Sequence, residues 1–199
     1  YQLTYTASNS KGVYTFCMCP GGYVIPSSCQ KDQLVVNGMS YASRSGENAN
    51  SALLVQINDS DYGNELFAGL KYQEDLEKKA FKMGRDYKAC VQLAKDYLEN
   101  KISNQFESVL PTYSIGTTFC DLNDLFSKEV NLALHEALEH FEKKVPGFVS
   151  GGAILSAVES RSSSSVRLVR DKESYVSNIQ GIYPSGEGSG YAGGIMTSA

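Results

Sequence analysis

The apolar residues of this chain change their period twice, and that constrains the fold more than any motif does. Residues 1–56 carry short β-branched or aromatic runs: Val13-Tyr14-Thr15-Phe16, Gly22-Tyr23-Val24-Ile25, Gln33-Leu34-Val35-Val36 and Ala52-Leu53-Leu54-Val55. Pro-Gly-Gly, Asn-Gly and Ser-rich turns separate them, the punctuation of strands joined by loops. From about residue 72 the spacing becomes helical, with Leu76, Ala80, Phe81 and Met83 predicting one helix and Cys90, Leu93, Ala94, Tyr97 and Leu98 a second, broken near Gly84. Asp121 is placed to cap a turn, and Ser127 to cap a helix with Val130, Leu134, Ala137, Leu138 and Phe141 on one face. Lys143 and Lys144 suit the negative end of that helix dipole before Pro146-Gly147 stops it. The β pattern then returns in 152–158, Val166-Arg167-Leu168-Val169 and Gly181-Ile182-Tyr183. The expected class is α+β, a β-rich layer interrupted by a helical insert.

Composition sets the outer limits. A chain of 199 residues, 42% hydrophobic and 20% charged, can bury a substantial core. Its net charge of −4 and pI near 5.3 argue against a nucleic-acid partner, which would need clustered, undiluted Lys and Arg. No run reaches the roughly 20 apolar residues that cross a bilayer, and YQLTYTASNS lacks the basic and apolar regions of a secretion signal. A soluble cytoplasmic protein with no membrane partner is expected. Both termini read as cuts through structure, a strand-like start at Tyr1 and a small-residue helix pattern at the end, as in a fragment. Five cysteines, an odd number without a secretion signal, predict thiols rather than a disulfide framework.

Several motifs carry chemistry only under certain geometries. His135-Glu136-Ala137-Leu138-Glu139-His140 looks like a zinc-protease helix, but five positions turn a helix through about 500°, so the two rings diverge by roughly 140°. They cannot share one metal, and the expectation is that His135 pairs with Glu139 and Glu136 with His140 on a solvated face. Cys17 and Cys19 flank a single residue; on a strand they sit about 6.6 Å apart, too far for the roughly 3.8 Å between bridged Cβ atoms. Packed thiols framing a functional loop, or thiol redox chemistry, fit better than a metal site, and no metal is expected. The polar stretches 37–51 and 159–167 put hydrogen-bonding groups on loops between strands, with Arg161 and Arg167 offering planar donor forks for an anion.

Gly188-Ser189-Gly190-Tyr191-Ala192-Gly193 has the G-x-G-x-x-G spacing, yet a first dinucleotide fingerprint also needs a following helix, a second strand and an acid about 20 positions on. What survives is a strand at Gly181-Ile182-Tyr183, a Gly-rich turn holding Glu187, and a helix starting near Gly193 whose free N–H groups suit an anion.

That combination resembles the second flavin-contacting motif of FAD-dependent oxidoreductases of the two-dinucleotide-binding-domain superfamily. More specifically, GVYTFCMCPGG at 12–22, VNGMS at 36–40, NANSAL at 48–53, ESRSSSSVR at 159–167 and YPSGEGSGYAGG at 183–194 together resemble the bacterial FAD-dependent dehydrogenase group. The resemblance spans nearly the whole chain. It implies a substrate-facing β segment at 1–56, a helical insert or cap at 57–147, a returning β segment at 148–180, and the closing strand, turn and helix start of an FAD-binding domain at 181–199. It implies FAD contacts at Gly186, Glu187, Gly188, Gly190, Gly193 and Gly194, with the Rossmann half upstream as the missing partner. Arg161 and Cys19 become candidate catalytic residues, and Arg44, Asn50, Pro20 and Gly21 candidate contacts to a small-molecule substrate. The implied reaction passes hydride or electron pairs between an organic substrate and flavin. A non-catalytic binding domain derived from the same family, and a thiol redox protein using Cys17 and Cys19, remain open on sequence alone.

Overall fold

Val13 and Thr15 alternate inward with half-buried neighbours, so the run Gly12–Cys19 forms a strand, β2, with one face on the core. In the computed structural model, which describes residues 3–191, β2 lies between β1 (Thr4–Thr6) and β5 (Asn50–Val55), both antiparallel to it. A hairpin of β3 (Gly22–Pro26) and β4 (Val36–Ser40) forms a second, two-stranded sheet. The predicted strand at 33–36 is displaced, because the Leu34 and Val35 amides donate instead to the Glu77 carbonyl (3.1 Å) and the Ser28 hydroxyl (2.9 Å).

The third sheet has β6 (Ala89–Leu93) at its centre, parallel to β7 (Thr117–Phe119) and antiparallel to β8 (Ile154–Ala157). Here the helix expected over 90–98 is corrected: it begins as β6 and becomes helical only at α3 (Ala94–Leu98). All five β6 residues are buried, and a strand buried on both faces shows an apolar run without alternation. Spacing alone therefore matched a helical template. Gln92, fully buried, donates to the Lys101 carbonyl (2.7 Å) and accepts from the Leu122 amide (2.8 Å), so its amide is satisfied.

Of the other helices, α1 (Asp59–Tyr62) is a single turn, while α2 (Ala68–Gly84) and α4 (Lys128–Lys144) are long. Ser127 accepts from the Val130 amide as expected, and Val130, Ala133, Leu134, Ala137, Leu138 and Phe141 make the buried face that packs on β1, β2 and β5. The expected salt pairs on α4 give way to tertiary contacts. Glu136 accepts from the Ser8 amide (2.8 Å), Ser8 hydroxyl and Tyr5 hydroxyl; His135 bonds Asn123 (2.9 Å) and meets the Tyr97 ring edge-on, and the His140 ring packs at a tilt against Tyr5. Burial keeps the His135 imidazole below its ordinary pKa, favouring the neutral ring. Past the helix end, the Glu142 carboxylate gathers the Gly147, Val149 and Ser150 amides and the Ser150 hydroxyl.

The chain divides into two units, Tyr1–Ile57 with Asp75–Glu159, and Asn58–Glu74 with Ser160–Ala199. The buried hydrophobic cluster belongs to the first. In the second, the strands predicted at 166–169 and 181–183 are absent. The Leu168 amide donates to the Ser189 carbonyl (3.1 Å), Ser177 donates to Ile182 (2.9 Å) and Gly181 turns with φ 85°, so these donors close loops instead of a ladder. No helix among the described residues is long and apolar enough to cross a membrane.

Two measurements check this account. Phe141→Ala should destabilise the chain by about 3–5 kcal/mol in urea unfolding, against within about 0.5 kcal/mol for the exposed Leu132→Ala. The Ser150 hydroxyl, with the Val149 and Gly147 amides, holds the Glu142 pKa down to about 2 from an ordinary value of 4.5. A depressed carboxylate stabilises the fold above its unfolded pKa, so the advantage of wild type over Glu142→Gln should be full above pH 4.5 and vanish as pH falls toward 2.

Candidate functional site

The conformation at Cys17 starts the site. Its φ of 48° and a slip in the β2–β5 register between Phe16 and Cys19 form a bulge, which turns Cys17 and Met18 out to solvent. Pro20 and Gly21 then reverse the chain into β3, Gly21 taking φ 58°. Gly22 donates to the Asn48 carbonyl (2.7 Å), the Ser40 hydroxyl donates to the Pro20 carbonyl (3.0 Å), and Asn48 reaches on to the Leu110 carbonyl (2.8 Å). The turn at 20–22 is thereby laced to the loop at 41–49.

Glycines make that lacing feasible. A Cβ on Gly21 would stand 2.2 Å from the Arg44 carbonyl oxygen, and one on Gly46 would stand 2.6 Å from the Gly21 oxygen. Asn50, opposite Cys19 across β2 and β5, lies against the hairpin in the same way: its Oδ1 is 2.1 Å from where a Gly38 Cβ would be, and its Nδ2 is 2.5 Å from that of Gly22. Both amide atoms are buried and neither finds a hydrogen-bond partner. An unmet buried amide costs about 1–3 kcal/mol, so the site carries a polar group that the fold does not need for stability.

Cys19, Pro20, Gly21, Arg44 and Asn50, scattered over 32 positions of sequence, are therefore neighbours in one loop cluster of the first unit. Arg44 enters it through its backbone at φ 50°, with its side chain exposed. Cys90 and Cys120 are buried thiols, and Cys19 Sγ donates to the Cys17 carbonyl at 3.2 Å. Gly38 and Gly46 shape the cluster yet were not among the predicted contacts. Their signal was the Asn-Gly and Ser-Gly dipeptides, each readable as an ordinary turn.

Arg161, Gly186, Glu187, Gly188 and Gly190 belong to the second unit. Arg161 is exposed on the 159–167 loop, whose Ser160 and Ser163 carbonyls accept from Gln73. At the Gly-rich turn, Gly186 and Gly190 take φ 80° and 79° around a single 3₁₀ turn, Glu187–Ser189. The Gly190 position is filled from outside, since a Cβ there would meet the Val166 oxygen at 2.7 Å. Gly188 is the opposite case: among the described residues nothing lies within 4 Å of its Cβ position, leaving exposed backbone open to close approach beside the exposed Glu187. That open flank leaves the turn's backbone accessible to a ligand. Arg170, which sequence reading passed over, donates to the Pro184 carbonyl and stacks 3.9 Å from the Tyr191 ring centroid, while Arg167 donates to the Gly190 carbonyl (3.1 Å). Arg167 thus braces the turn from within. Gly193, Gly194 and the helix expected near them lie outside the described residues. Among the described residues no cluster of three or more His, Cys, Asp or Glu could hold a metal.

The Asn50–Gly38 contact can be tested by a double-mutant cycle in urea. Asn50→Ala should cost little stability because it removes two unmet buried atoms, and Gly38→Ala should destabilise wild type but be tolerated beside Asn50→Ala. A coupling of about 0.5–3 kcal/mol is expected, and additive effects would show that the two positions do not touch.

Residues 1–162 match the family described as FAD-dependent protein, C-terminal domain-like. An uncharacterized protein of Clostridium beijerinckii (strain ATCC 51743 / NCIMB 8052) is 42% identical over 202 residues, covering 100% of this chain and 38% of that relative. The chain thus spans well under half the length of the relative it matches. With its matched region taking in the glycine-laced loop cluster, the chain belongs to the FAD-dependent protein, C-terminal domain-like family.

Proposed function

We propose that this chain is the substrate-facing part of an FAD-dependent oxidoreductase, a dehydrogenase completed by a dinucleotide-binding half. The reading is carried by membership in a family described as FAD-dependent, over a region that includes the whole Cys17–Asn50 cluster. Bound FAD would supply the hydride chemistry, and the protein placement and electrostatics.

Each group then has a distinct task. The open backbone at Gly188, between the turn-forming Gly186 and Gly190, would let a phosphate-bearing group approach where a side chain would block it, and the exposed Glu187 carboxylate would accept from sugar hydroxyls. The family resemblance adds Gly193 and Gly194, which lie outside the described residues, to these FAD contacts. The turn at Pro20-Gly21 and the Arg44 loop form a rigid rim for a small organic substrate, because neither can shift without breaking the backbone lacing between them. Asn50 offers its side-chain amide to orient it, and the exposed Arg44 guanidinium suits an anionic substrate group. Cys19 stands at the rim as a polarizable contact.

The full-length relative, purified without added cofactor, should be yellow, with a flavin spectrum that bleaches under anaerobic reductant. A colourless protein that refuses added FAD would favour a non-catalytic interaction domain. Within it, valine at the position aligned with Gly188 should weaken FAD binding by about tenfold or more, equivalent to about 1.4 kcal/mol, while leaving the unfolding midpoint unchanged, since no atom of the described residues lies within 4 Å of that Cβ.

A further inference from the structure

Hydride transfer from an organic substrate leaves a proton behind, and the cluster of Cys19, Pro20, Gly21, Arg44 and Asn50 has no carboxylate or imidazole to take it. Both histidines are engaged elsewhere: His135 bonds Asn123 (2.9 Å) and His140 packs against Tyr5. Glu136, Glu142 and Asp171 are gripped as anions, each accepting several hydrogen bonds that hold its pKa down. Glu159 is the opposite case. It sits half-buried just beyond β8, and among the described residues no group hydrogen-bonds or ion-pairs with its carboxyl. Burial alone pushes its pKa above the ordinary 4.5, with no charged group on any neighbouring element contributing.

Its place in the first unit ties this carboxyl to the candidate site. The Val158 carbonyl accepts from the Val36 amide (2.9 Å), which fixes the residue before Glu159 to the outer edge of β4. Val36 pairs with Pro26 across the hairpin and turns its amide away from β3; Gly38, two residues on, shares that edge in the antiparallel pattern. Gly38 lies roughly 6.8 Å along the strand from Val36 and is where the Asn50 amide packs. We infer that Glu159 is the proton acceptor of the reaction: as the substrate's C–H electron pair leaves for the flavin, the proton on the adjoining oxygen or nitrogen passes to the Glu159 carboxylate. This rests on the proposed flavoprotein reading. One C–H and one O–H or N–H bond break, a C=O or C=N bond and a carboxyl O–H form, two electrons pass to the flavin, and the carboxyl then returns its proton to water. A carboxyl lifted toward neutrality by burial is suited to both accepting and releasing that proton.

The test counts protons rather than turnovers. The full-length protein that carries this chain, reduced anaerobically with dithionite in weakly buffered solution, is compared with its Glu159→Gln variant for protons taken up per electron pair as pH varies. Negative charge arriving on the flavin raises the pKa of a carboxyl beside it, so wild type should take up as much as one more proton than Glu159→Gln over the pH range spanned by that rise. Glu159→Asp, which keeps a carboxyl, should retain the extra uptake. In the isolated chain, carbon-13 spectra of the glutamate carboxyls should show a group titrating above 4.5 that is missing from Glu159→Gln, with the urea midpoint unchanged because the side chain has no partner to lose. Equal uptake by wild type and Glu159→Gln at every pH overturns the inference and leaves the flavin reading standing, as does titration of Glu159 at or below 4.5. A Glu159→Gln protein that loses its flavin or lowers its midpoint assigns the residue to architecture and overturns the inference as well. A colourless wild-type protein rejects the flavin reading, and the inference with it.

Discussion

Strand β6 is the constraint on which the first unit depends. Five consecutive residues, Ala89 to Leu93, are buried between β7 and β8, and their neighbours supply every partner the strand needs. The Cys90 and Cys120 thiols donate to the Ala80 and Met83 carbonyls near the end of α2, and Gln92 ties the strand to both Lys101 and Leu122. In so dry a setting an unmet polar group is expensive, and the satisfied Gln92 amide fixes one register where apolar residues alone would tolerate several. Helix α4 closes the other side over β1, β2 and β5 with a stripe that ends at the fully buried Phe141.

Against this satisfied core, the unmet Asn50 amide stands out. It occupies a position where two glycines, Gly22 and Gly38, leave space on the facing hairpin, and the fold gives it no hydrogen bond. Groups retained at a cost to stability belong to function more often than to architecture. The neighbouring Cys17 bulge and the Gly21–Arg44 clasp hold three left-handed backbone positions within one loop cluster, conformations that persist only where surrounding contacts enforce them.

The two units differ in what holds them. Burial organises the first; in the segment 166–191 of the second, hydrogen bonds and stacked guanidiniums do. Sequence reading of that segment was accurate about the turn at Gly186–Gly190 and inaccurate about its strands. Leu168, Val169, Ile182 and Tyr183 have strand propensity, but a strand also needs a neighbour to receive its backbone bonds, and those bonds went to nearby loops. Arg170 escaped notice because a guanidinium that braces a turn looks, in sequence, like any surface charge.

What the sequence determined by itself was local: β2, β3 and β5 from alternation and turns, α4 from its apolar stripe and the Ser127 cap, and the separation of His135 from His140 by helix geometry. These follow from backbone periods, which act over a few residues. Tertiary structure decided whether 90–93 became strand or helix, because burial on two faces erases the alternation that would have told them apart. It also decided that Glu136 bonds Ser8 and Tyr5 rather than His140, and that Gly21 meets Arg44 and Gly38 meets Asn50. Those contacts join residues far apart in the chain, and only the packed fold brings them within bonding distance.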